Sequence, residues 1–382
     1  MSLNSALSWE QRKLGDIVDV CSGRDYKHLS EGDIPVYGTG GYMLSVSEAL
    51  SYDKDAIGIG RKGTIDKPYI LKAPFWTVDT LFYAIPREKI DLNFTFDIFQ
   101  NIDWKKKDES TGVPSLSKTA INEIDVLVPQ YFEQQALGEF FNEIDNLITL
   151  HQRKYEKLTN VKKSMLEKMF PQNGSNSPEI RFKGFTDAWE QRKFFELYEK
   201  VSRKNDLTYG KDDIISVANM YFKEDSYITD ESYLLTYNIF ELGDIAFEGN
   251  KSKNYAHGRF VENTIGNGIV SHVFDVFKPI MKPYDLQFWK YAINNEQLMG
   301  GILLRSTKAS TMMTNLVAND FLQETFLTPT YPEQQKIGAF FQQLDNLITL
   351  HQCKFQIVSK RRKARLRRRA FEFTVIFALI VL

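Results

Sequence analysis

The side chains best suited to chemistry in this sequence are cations followed closely by hydroxyl groups. Lys105–Lys107 precede Ser110 and Thr111, and two hundred residues later Arg305–Lys308 precede Ser310 and Thr311. Lysine and arginine neutralise phosphate groups, while hydroxyl groups donate to phosphate oxygens or to base edges. Recurrence at matching places in both halves favours nucleic-acid contact. The alternative is a pair of solvated surface loops, which is what most lysine runs form.

Two glycine-bearing segments carry similar residues. Gly58-Ile-Gly-Arg-Lys-Gly63 fits the G-x-G-x-x-G pattern of dinucleotide sites, but Pro68 follows closely where such a site needs a helix. We therefore predict a glycine-rich turn that lets Arg61, Lys62 and Thr64 approach a phosphate. In the second half, Gly249–Asn254 and the nearby Arg259 form a loop whose polar side chains can pair with base edges.

The candidate DNA-binding residues are therefore polar and basic residues of both halves. They are Arg61, Lys62, Thr64, Lys105, Lys106, Lys107, Ser110, Thr111, Lys251, Ser252, Lys253, Asn254, Arg259, Arg305, Ser306, Thr307, Lys308, Ser310 and Thr311.

Motifs for catalysis are missing from the sequence. It contains no Asn-Pro-Pro-Tyr or Asp-Pro-Pro-Tyr stretch, no Walker lysine motif and no metal-ligand spacing. We predict a chain without catalytic residues, metal or cofactor of its own, whose activity belongs to partner proteins.

The elements that position these residues fall into two repeated blocks. Residues 9 to 130 read as short strands punctuated by turns, with Gly38–Gly41 as a tight loop and Asp55–Ile59 and Tyr69–Leu71 as strands. From about Phe132 a heptad pattern predicts a helix of roughly 39 residues, or about 58 Å. Its apolar stripe is too long to bury within one block, so a partner helix is required.

The second copy supplies that partner. Aligned without gaps, Glu133–Lys154 and Glu333–Lys354 are identical at 15 of 22 positions. Trp9-Glu-Gln-Arg-Lys13 also returns as Trp189-Glu-Gln-Arg-Lys193. The predicted helix-pair interface consists of matched positions on the two stripes: Leu137, Phe141, Ile144, Ile148, His151, Ile337, Phe341, Leu344, Ile348 and His351.

His151 and His351 are the polar members of that interface. A buried polar residue on a helical seam specifies register at some cost in stability, which is the role we favour. A metal pair and plain exposure at the edge of the stripe are the alternatives.

The predicted fold is α/β (α+β): two similar mixed α/β domains separated by two long antiparallel coiled-coil helices, in a pseudo-twofold repeat. A doubled surface of this kind suits a symmetric partner such as duplex DNA. The predicted segments are a first globular domain at 1–130, a first long helix at 131–172, a linker at 173–188, a second globular domain at 189–330, a second long helix at 331–370, and an atypical apolar tail at 371–382.

Composition limits the function classes. The net charge is −1, so overall charge does not argue for DNA, although local patches set the field at a groove. Cys21 and Cys353 form no ligand spacing or disulfide framework, which predicts a reducing, cytoplasmic setting. The apolar run Phe371–Leu382, at 12 residues, is too short to span a bilayer, so no membrane partner is expected.

The repeated Glu-Gln-Gln, Phe-Phe and Asp-Asn-Leu-Ile-Thr-Leu-His-Gln segments resemble the conserved helical regions of the specificity (S) subunits of type I restriction–modification systems. Met165–Pro171 and Pro178–Lys193 resemble the opening of that family's second half. The resemblance covers nearly the whole chain to about Phe355, in the family's order.

The resemblance implies a non-catalytic DNA reader. Each globular half would be a target recognition domain for one half of a split double-stranded DNA sequence. The helices would pack antiparallel, fix the distance between half-sites and carry two methyltransferase (M) subunits, which restriction (R) subunits then join. S-adenosylmethionine, Mg and ATP would belong to those partner subunits. From the residues alone, a two-domain protein-interaction scaffold that reads no DNA is the alternative.

The sequence departs from the family's pattern after Phe355, where the two helices stop resembling each other. Eight of the ten residues from Lys360 to Arg369 are basic, and an apolar tail follows. We interpret this ending as a slipped coding frame that keeps no heptad. An extra DNA- or membrane-surface arm is the alternative.

Overall fold

The structure is a computed structural model that describes residues 9–172, 174–224, 228, 230–309 and 313–381, with side chains of the last helix through Arg362. The chain divides into two compact units. Unit 1 comprises 1–152 and 354–382, and unit 2 comprises 153–353.

The described residues of unit 1 form nine strands, three short helices, a 3-10 turn at Trp104–Lys107 and parts of the two long helices. Its strands are β1 (Glu10–Lys13), β2 (Val18–Ser22), β3 (Glu31–Gly38), β4 (Gly41–Val46), β5 (Ala56–Gly60), β6 (Tyr69–Leu71), β7 (Trp76–Thr77), β8 (Leu81–Pro86) and β9 (Asp125–Val128). Its helices are α1 (Leu14–Ile17), α2 (Leu92–Asn101) and α3 (Lys118–Asn122); the first long helix is α4 (Tyr131–Lys168).

Unit 2 contains twelve described strands and ends in the second long helix. Its strands are β10 (Glu190–Lys193), β11 (Tyr198–Val201), β12 (Ile215–Ser216), β13 (Tyr221–Phe222), β14 (Asn238–Phe240), β15 (Ile245–Glu248), β16 (Arg259–Glu262), β17 (Gly268–Val270), β18 (Val276–Pro279), β19 (Thr307–Ala309), β20 (Thr314–Leu316) and β21 (Thr325–Thr328). Its short helices are α5 (Phe194–Leu197), α6 (Leu286–Ile293), α7 (Glu296–Ser306) and α8 (Ala318–Gln323), with 3-10 turns at Lys211–Asp213 and Glu231–Thr236. The second long helix is α9 (Tyr331–Val381), whose residues from Lys354 belong to unit 1.

The two units share one sheet topology despite their divergent interiors. Unit 1 has a four-stranded sheet in the order β2-β8-β5-β6, and unit 2 has one in the order β11-β18-β15-β16. Strand β5, Ala-Ile-Gly-Ile-Gly, is buried along its whole length, and so is β15. The predicted tight loop is confirmed as the β3–β4 turn, where Gly41 has a φ of 105°. The mixed α/β repeat expected from the sequence is therefore confirmed.

The repeated Trp-Glu-Gln-Arg-Lys motif closes each unit. In unit 1 it forms β1, which pairs antiparallel with β9; in unit 2 it forms β10, which pairs with β21 in the same register. The Trp9 indole donates to Glu133 at 3.2 Å. In unit 2 the corresponding Glu333 instead accepts hydrogen bonds from the Nε and Nη2 groups of Arg181 at 2.7 and 2.8 Å, and Glu333 is fully buried.

The repeated Glu-Gln-Gln-x-x-Gly stretch seats each long helix on its own unit. Gln134 donates to the Pro129 carbonyl at 2.9 Å, and Gln334 donates to the Pro329 carbonyl at 3.1 Å. A Cβ at Gly138 would lie 2.7 Å from the backbone nitrogen of Phe94 in α2. A Cβ at Gly338 would lie 2.7 Å from the corresponding nitrogen of Phe288 in α6. The glycine in each copy is thus required by a close approach of two helices.

The heptad stripe predicted for the long helices includes side chains that the fold buries. In unit 2, Ile337, Phe341 and Leu344 are buried and pack with Leu158, Val161 and Met165 of α4. Lys162 pairs with Asp345 at 2.5 Å, and the ring of Phe170 stacks on Phe341 at 6.3 Å. Residues with higher numbers in and just after α4 contact residues with lower numbers in α9, so the two helices run antiparallel within unit 2.

In unit 1, α9 contacts α2 and α4 through one arginine. Arg362 donates to Asp145 at 2.6 Å, to Asp97 at 3.2 Å and to Gln100 at 2.5 Å, and its guanidinium lies 5.9 Å from the ring of Phe141. Burial raises the pKa of Asp97 to about 7, although Arg362 acts to lower it; Asp145 and Asp91 add smaller upward contributions.

The raised pKa of Asp97 predicts a pH-dependent stability. Between about pH 4 and pH 7 the folded protein holds a proton that the unfolded chain has released, so stability falls as pH rises through that window. We expect the wild-type chain to lose roughly 2 kcal/mol more than Asp97→Asn between about pH 5 and pH 8. Urea unfolding of both proteins at the two pH values measures the difference. Parallel losses in the two proteins would contradict the prediction.

Candidate nucleic-acid interface

The structure brings the two predicted basic segments of unit 1 together. The loop that follows β5 lies against the segment that precedes α3, with Lys62 and Ser115 forming an antiparallel bridge. The Gly63 N–H donates to the Pro114 carbonyl at 2.8 Å, and the Leu116 N–H donates to the Arg61 carbonyl at 2.9 Å. Residues 61–64 and 110–116, about fifty positions apart in sequence, therefore form one surface.

A single carboxylate shapes the hydroxyl-bearing loop of unit 1. Asp108 Oδ1 accepts hydrogen bonds from the Ser110 N–H at 3.0 Å, the Ser110 hydroxyl at 2.8 Å and the Ser115 N–H at 2.9 Å. These three donors lower the pKa of Asp108. Lys105 pairs with Asp66 at 3.0 Å and so joins the 3-10 turn to the first loop.

Unit 2 repeats this juxtaposition. The loop that follows β15 meets β20 and its approach, where Asn250 and Met313 form an antiparallel bridge. The Thr314 N–H donates to the Gly249 carbonyl at 2.8 Å, and the Thr314 hydroxyl donates to the His257 carbonyl at 2.9 Å. The loop that carries Lys251–Asn254 therefore contacts Met313 and Thr314 in unit 2. Ser310 and Thr311 lie outside the described residues.

Two glycines permit these close approaches. A Cβ at Gly60 would lie 2.0 Å from the carbonyl oxygen of Thr64, and a Cβ at Gly249 would lie 2.2 Å from the carbonyl oxygen of Thr314. Both obstacles are backbone atoms that cannot rotate away. Each loop shape therefore depends on a glycine at the end of the buried central strand.

Twelve members of the predicted set have exposed side chains. The exposed side chains are Arg61, Lys62, Lys105, Lys106, Lys107, Thr111, Lys251, Ser252, Lys253, Asn254, Arg305 and Lys308. Thr64, Ser110, Arg259 and Thr307 are half-buried. The guanidinium of Arg61 lies 5.6 Å from the centre of the Phe82 ring, so the Arg61 side chain packs against unit 1.

Several predicted residues of unit 2 are committed to internal partners. Arg259 donates to Glu248 at 2.7 Å and lies 5.0 Å from the Tyr255 ring. Arg305 donates to the two carboxylate oxygens of Glu324 at 2.8 and 2.5 Å. Ser306 is fully buried, and its hydroxyl donates to the Ile302 carbonyl at 2.8 Å. The prediction that Ser306 contacts DNA is therefore wrong, because α7 turns that hydroxyl into the unit.

Sequence reasoning missed the residues that shape these loops. Asp108 and Thr314 carry the hydrogen bonds but contribute no cation. The Asp-x-Ser spacing of Asp108 and Ser110 is a local signal for the first, since such pairs form turns. Thr314 has no comparable local signal, because its acceptors lie 57 and 65 residues away.

The G-x-G-x-x-G segment lies on β5 and the loop after it, so no helix opens at its glycines. Within the described part of the chain, no cluster of three or more His, Cys, Asp or Glu side chains could hold a metal ion. Among the same residues, no helix is long and apolar enough to cross a membrane.

Comparison with known proteins finds a family that part of this chain resembles. Residues 7–160 match the family described as Type I restriction modification DNA specificity domain. The match covers strands β1 to β9 and most of α4. The type I specificity resemblance read from the repeated helices is thereby confirmed.

A curated relative and solved structures are also similar to this chain. The type I restriction enzyme MjaVIII specificity subunit of Methanocaldococcus jannaschii is 22% identical over 286 residues, which are 68% of this chain and 64% of that protein. The match thus spans slightly less than two thirds of the relative's length. The S subunit structure from M. genitalium has a TM-score of 0.63 at 12% identity and covers 96% of this chain and 97% of its own, which shows a shared fold. An HsdS structure from Thermoanaerobacter tengcongensis aligns with a TM-score of 0.44 at 13% identity over 96% of this chain and 97% of its own.

Proposed function

We propose that this chain is the DNA-reading specificity subunit of a type I restriction–modification complex and that each unit reads one half of a bipartite target. The observation that carries the proposal is the matched surface of the two units. In each, the loop after the buried central strand lies beside the segment that precedes α3 or its counterpart α8, and both segments are basic or rich in hydrogen-bonding side chains. One such surface per unit suits a target in two parts.

The long helices are proposed to carry two M subunits. Each helix holds a pair of exposed leucines at matched positions, Leu147 and Leu150 in α4 and Leu347 and Leu350 in α9, all between 43% and 47% exposed. Exposed leucines one turn apart form an apolar contact on a helix surface. Two equivalent pairs predict two equivalent seats. The native mass of the co-purified complex tests this count, and R subunits would join the assembled core.

Catalysis is assigned to the partner subunits. The M subunits would supply S-adenosylmethionine chemistry, and the R subunits would use Mg and ATP. The specificity chain would contribute binding and orientation of the DNA, with the helix pair holding the two half-sites at one separation. The interaction scaffold remains the competing function and is separated from DNA reading by experiment.

Genome-wide mapping of methylated adenines tests the function directly. The chain is expressed with the M subunit from its own locus, and each methylated site is aligned. A single bipartite motif with one fixed gap is the expected result. Methylation absent from such a strain, together with a complex that assembles at full mass, would favour the scaffold over the DNA reader.

We expect the basic loop of unit 1 to set part of the salt dependence of DNA binding. Replacing Lys62 or Lys107 by glutamine removes one phosphate partner, so the slope of log K against log salt should become shallower by about 0.9 per lysine. Fluorescence anisotropy of the assembled complex at several salt concentrations measures the slope. Lys89→Gln, an exposed lysine in a turn of unit 1, is the matched control and should leave the slope unchanged. Equal slopes for all four proteins would exclude these lysines from the interface.

A further inference from the structure

Each unit holds a half-buried cation at the same place in the repeat. Lys162 of α4 and Arg362 of α9 are separated by the 200-residue offset that also relates Asp145 to Asp345. In unit 2, Lys162 pairs with Asp345 at 2.5 Å. In unit 1, Arg362 pairs with Asp145, and the exposed fractions of the two side chains are 12% and 34%. The same ion pair therefore occurs twice, with its cation and anion contributed by exchanged helices.

The third member of each cluster also corresponds. Asp91 and Asp285 cap α2 and α6 by accepting from the Phe94 and Phe288 N–H groups, both at 2.8 Å. Six residues beyond each cap stand Asp97 in unit 1 and Tyr291 in unit 2. Tyr291 donates to Asp345 at 2.7 Å, and Lys162 lies 5.1 Å from its ring. Asp97 instead accepts from Arg362.

The cation in each unit matches the number of acceptors around it. In unit 2 a lysine faces one carboxylate and a tyrosine, so a single point charge is sufficient. In unit 1 the cation faces two carboxylates and the Gln100 amide, and the branched guanidinium donates to all three. A guanidinium provides several donors in a fixed plane, whereas an ammonium is a point charge on a flexible stem. The arginine therefore fits its own unit although the surrounding sequence differs from α4.

We propose that Arg362 is a positioning residue for DNA reading: it fixes the register of α9 on unit 1, as Lys162 fixes α4 on unit 2. A one-turn slip would withdraw the cation from both Asp97 and Asp145 and leave buried charges unpaired, which is strongly unfavourable. The functional part of α9 thus extends through Arg362. The role rests on the proposed function, because register matters to the target only if both units read DNA.

The test maps methylated adenines for the full complex with wild-type chain, Arg362→Ala, Arg362→Gln and Arg362→Lys. We expect Arg362→Ala to lower the preference for the wild-type gap over gaps one base pair longer or shorter by about tenfold or more, since one unpaired buried carboxylate costs enough for such a change. Both half-sites should stay the same. Arg362→Lys, which installs the residue found at position 162, should recover most of the preference.

Controls separate register from folding. Lys360→Gln removes a charge from the exposed side of the same helix and should behave as wild type. Arg362→Gln keeps donors while removing the charge, so it decides the question if Arg362→Ala does not fold. An unchanged gap preference in Arg362→Gln overturns the positioning role and leaves the proposed function intact. A wild-type complex that assembles but directs no bipartite methylation overturns both.

Discussion

Gly60→Ala should abolish recognition of one half-site, while recognition of the other half-site is retained. The added Cβ would stand 2.0 Å from the Thr64 carbonyl oxygen, a separation that requires the backbone to move. Movement there breaks the contact between the loop after β5 and residues 114–116, on which the proposed unit 1 surface depends. Overpacking of this kind costs about 1–3 kcal/mol and displaces the loop. Gly249→Ala should produce the same loss for the half-site of unit 2, because its Cβ would meet the Thr314 carbonyl oxygen at 2.2 Å.

The measurement is binding of the assembled complex to duplexes in which one half-site at a time is scrambled. For Gly60→Ala, scrambling the half-site read by unit 1 should cost no further affinity, whereas scrambling the other should reduce binding to the non-specific level. Gly249→Ala should give the opposite pattern, which also assigns each half-site to its unit. Gly112→Ala is the matched control, because a Cβ there meets nothing within 4 Å in the same unit 1 surface. Wild-type discrimination at both half-sites in Gly60→Ala would contradict the proposed surface.

The frame of this protein was predictable because its signals are local and repeated. The heptad stripe requires only spacing along one helix, and the duplicated motifs each have a counterpart to confirm them. Trp-Glu-Gln-Arg-Lys recurs because it forms the strand that pairs with β9 in unit 1 and with β21 in unit 2. The sequence alone does not show that pairing. The shared sheet order of the two interiors was not predictable, since their sequences have diverged and strand order is set by contacts between distant segments.

The loop surfaces show the same limit. The sequence predicts DNA contacts for Lys62 and for the segment from Lys105 to Thr111 separately, and nothing in the local sequence indicates that Lys62 is bridged to Ser115, which follows that segment. Ser306 failed for a related reason. Its neighbours Arg305 and Thr307 made it look like part of a polar loop, but it ends α7 and its hydroxyl bonds one turn back. Local polarity does not reveal which side of a helix faces the core.

The prediction that the heptad of helix two ends at Phe355 is wrong. The sequence predicted that helix two loses its counterpart after Phe355, yet Val358 and Arg362 remain half-buried and Arg362 makes the contacts that Lys162 makes in unit 2. The heptad therefore continues at least seven residues farther than the visible identity. Lysine and arginine at an equivalent position hide the match in a comparison by residue identity, because seven other positions from Lys360 to Arg369 are basic as well.

Lengthening both long helices by one heptad should lengthen the gap in the DNA target by about three base pairs and leave both half-sites unchanged. Seven residues add about 10.5 Å at 1.5 Å per residue, and successive base pairs are about 3.4 Å apart. A heptad is the insertion that keeps the apolar stripe in phase, so Ile148 and Ile348 are suitable positions after which to place it. Both helices must be extended, since the antiparallel contacts of unit 2, such as Lys162 with Asp345, would otherwise lose their register with the contacts of unit 1.

Methylated adenines mapped for the extended complex measure the gap, and a seven-residue polar insertion at Gly174 is the control, because it lengthens the chain without lengthening either helix. That control should keep the original gap. An unchanged gap in the extended complex would show that the helices do not set the separation. A changed half-site would show instead that the loops of a unit respond to the helices on which the unit rests. Arg362 connects the two helices in unit 1, and Lys162 connects them in unit 2. The insertion lies outside both of these clusters and leaves their contacts intact. We therefore expect a longer gap with unchanged half-sites.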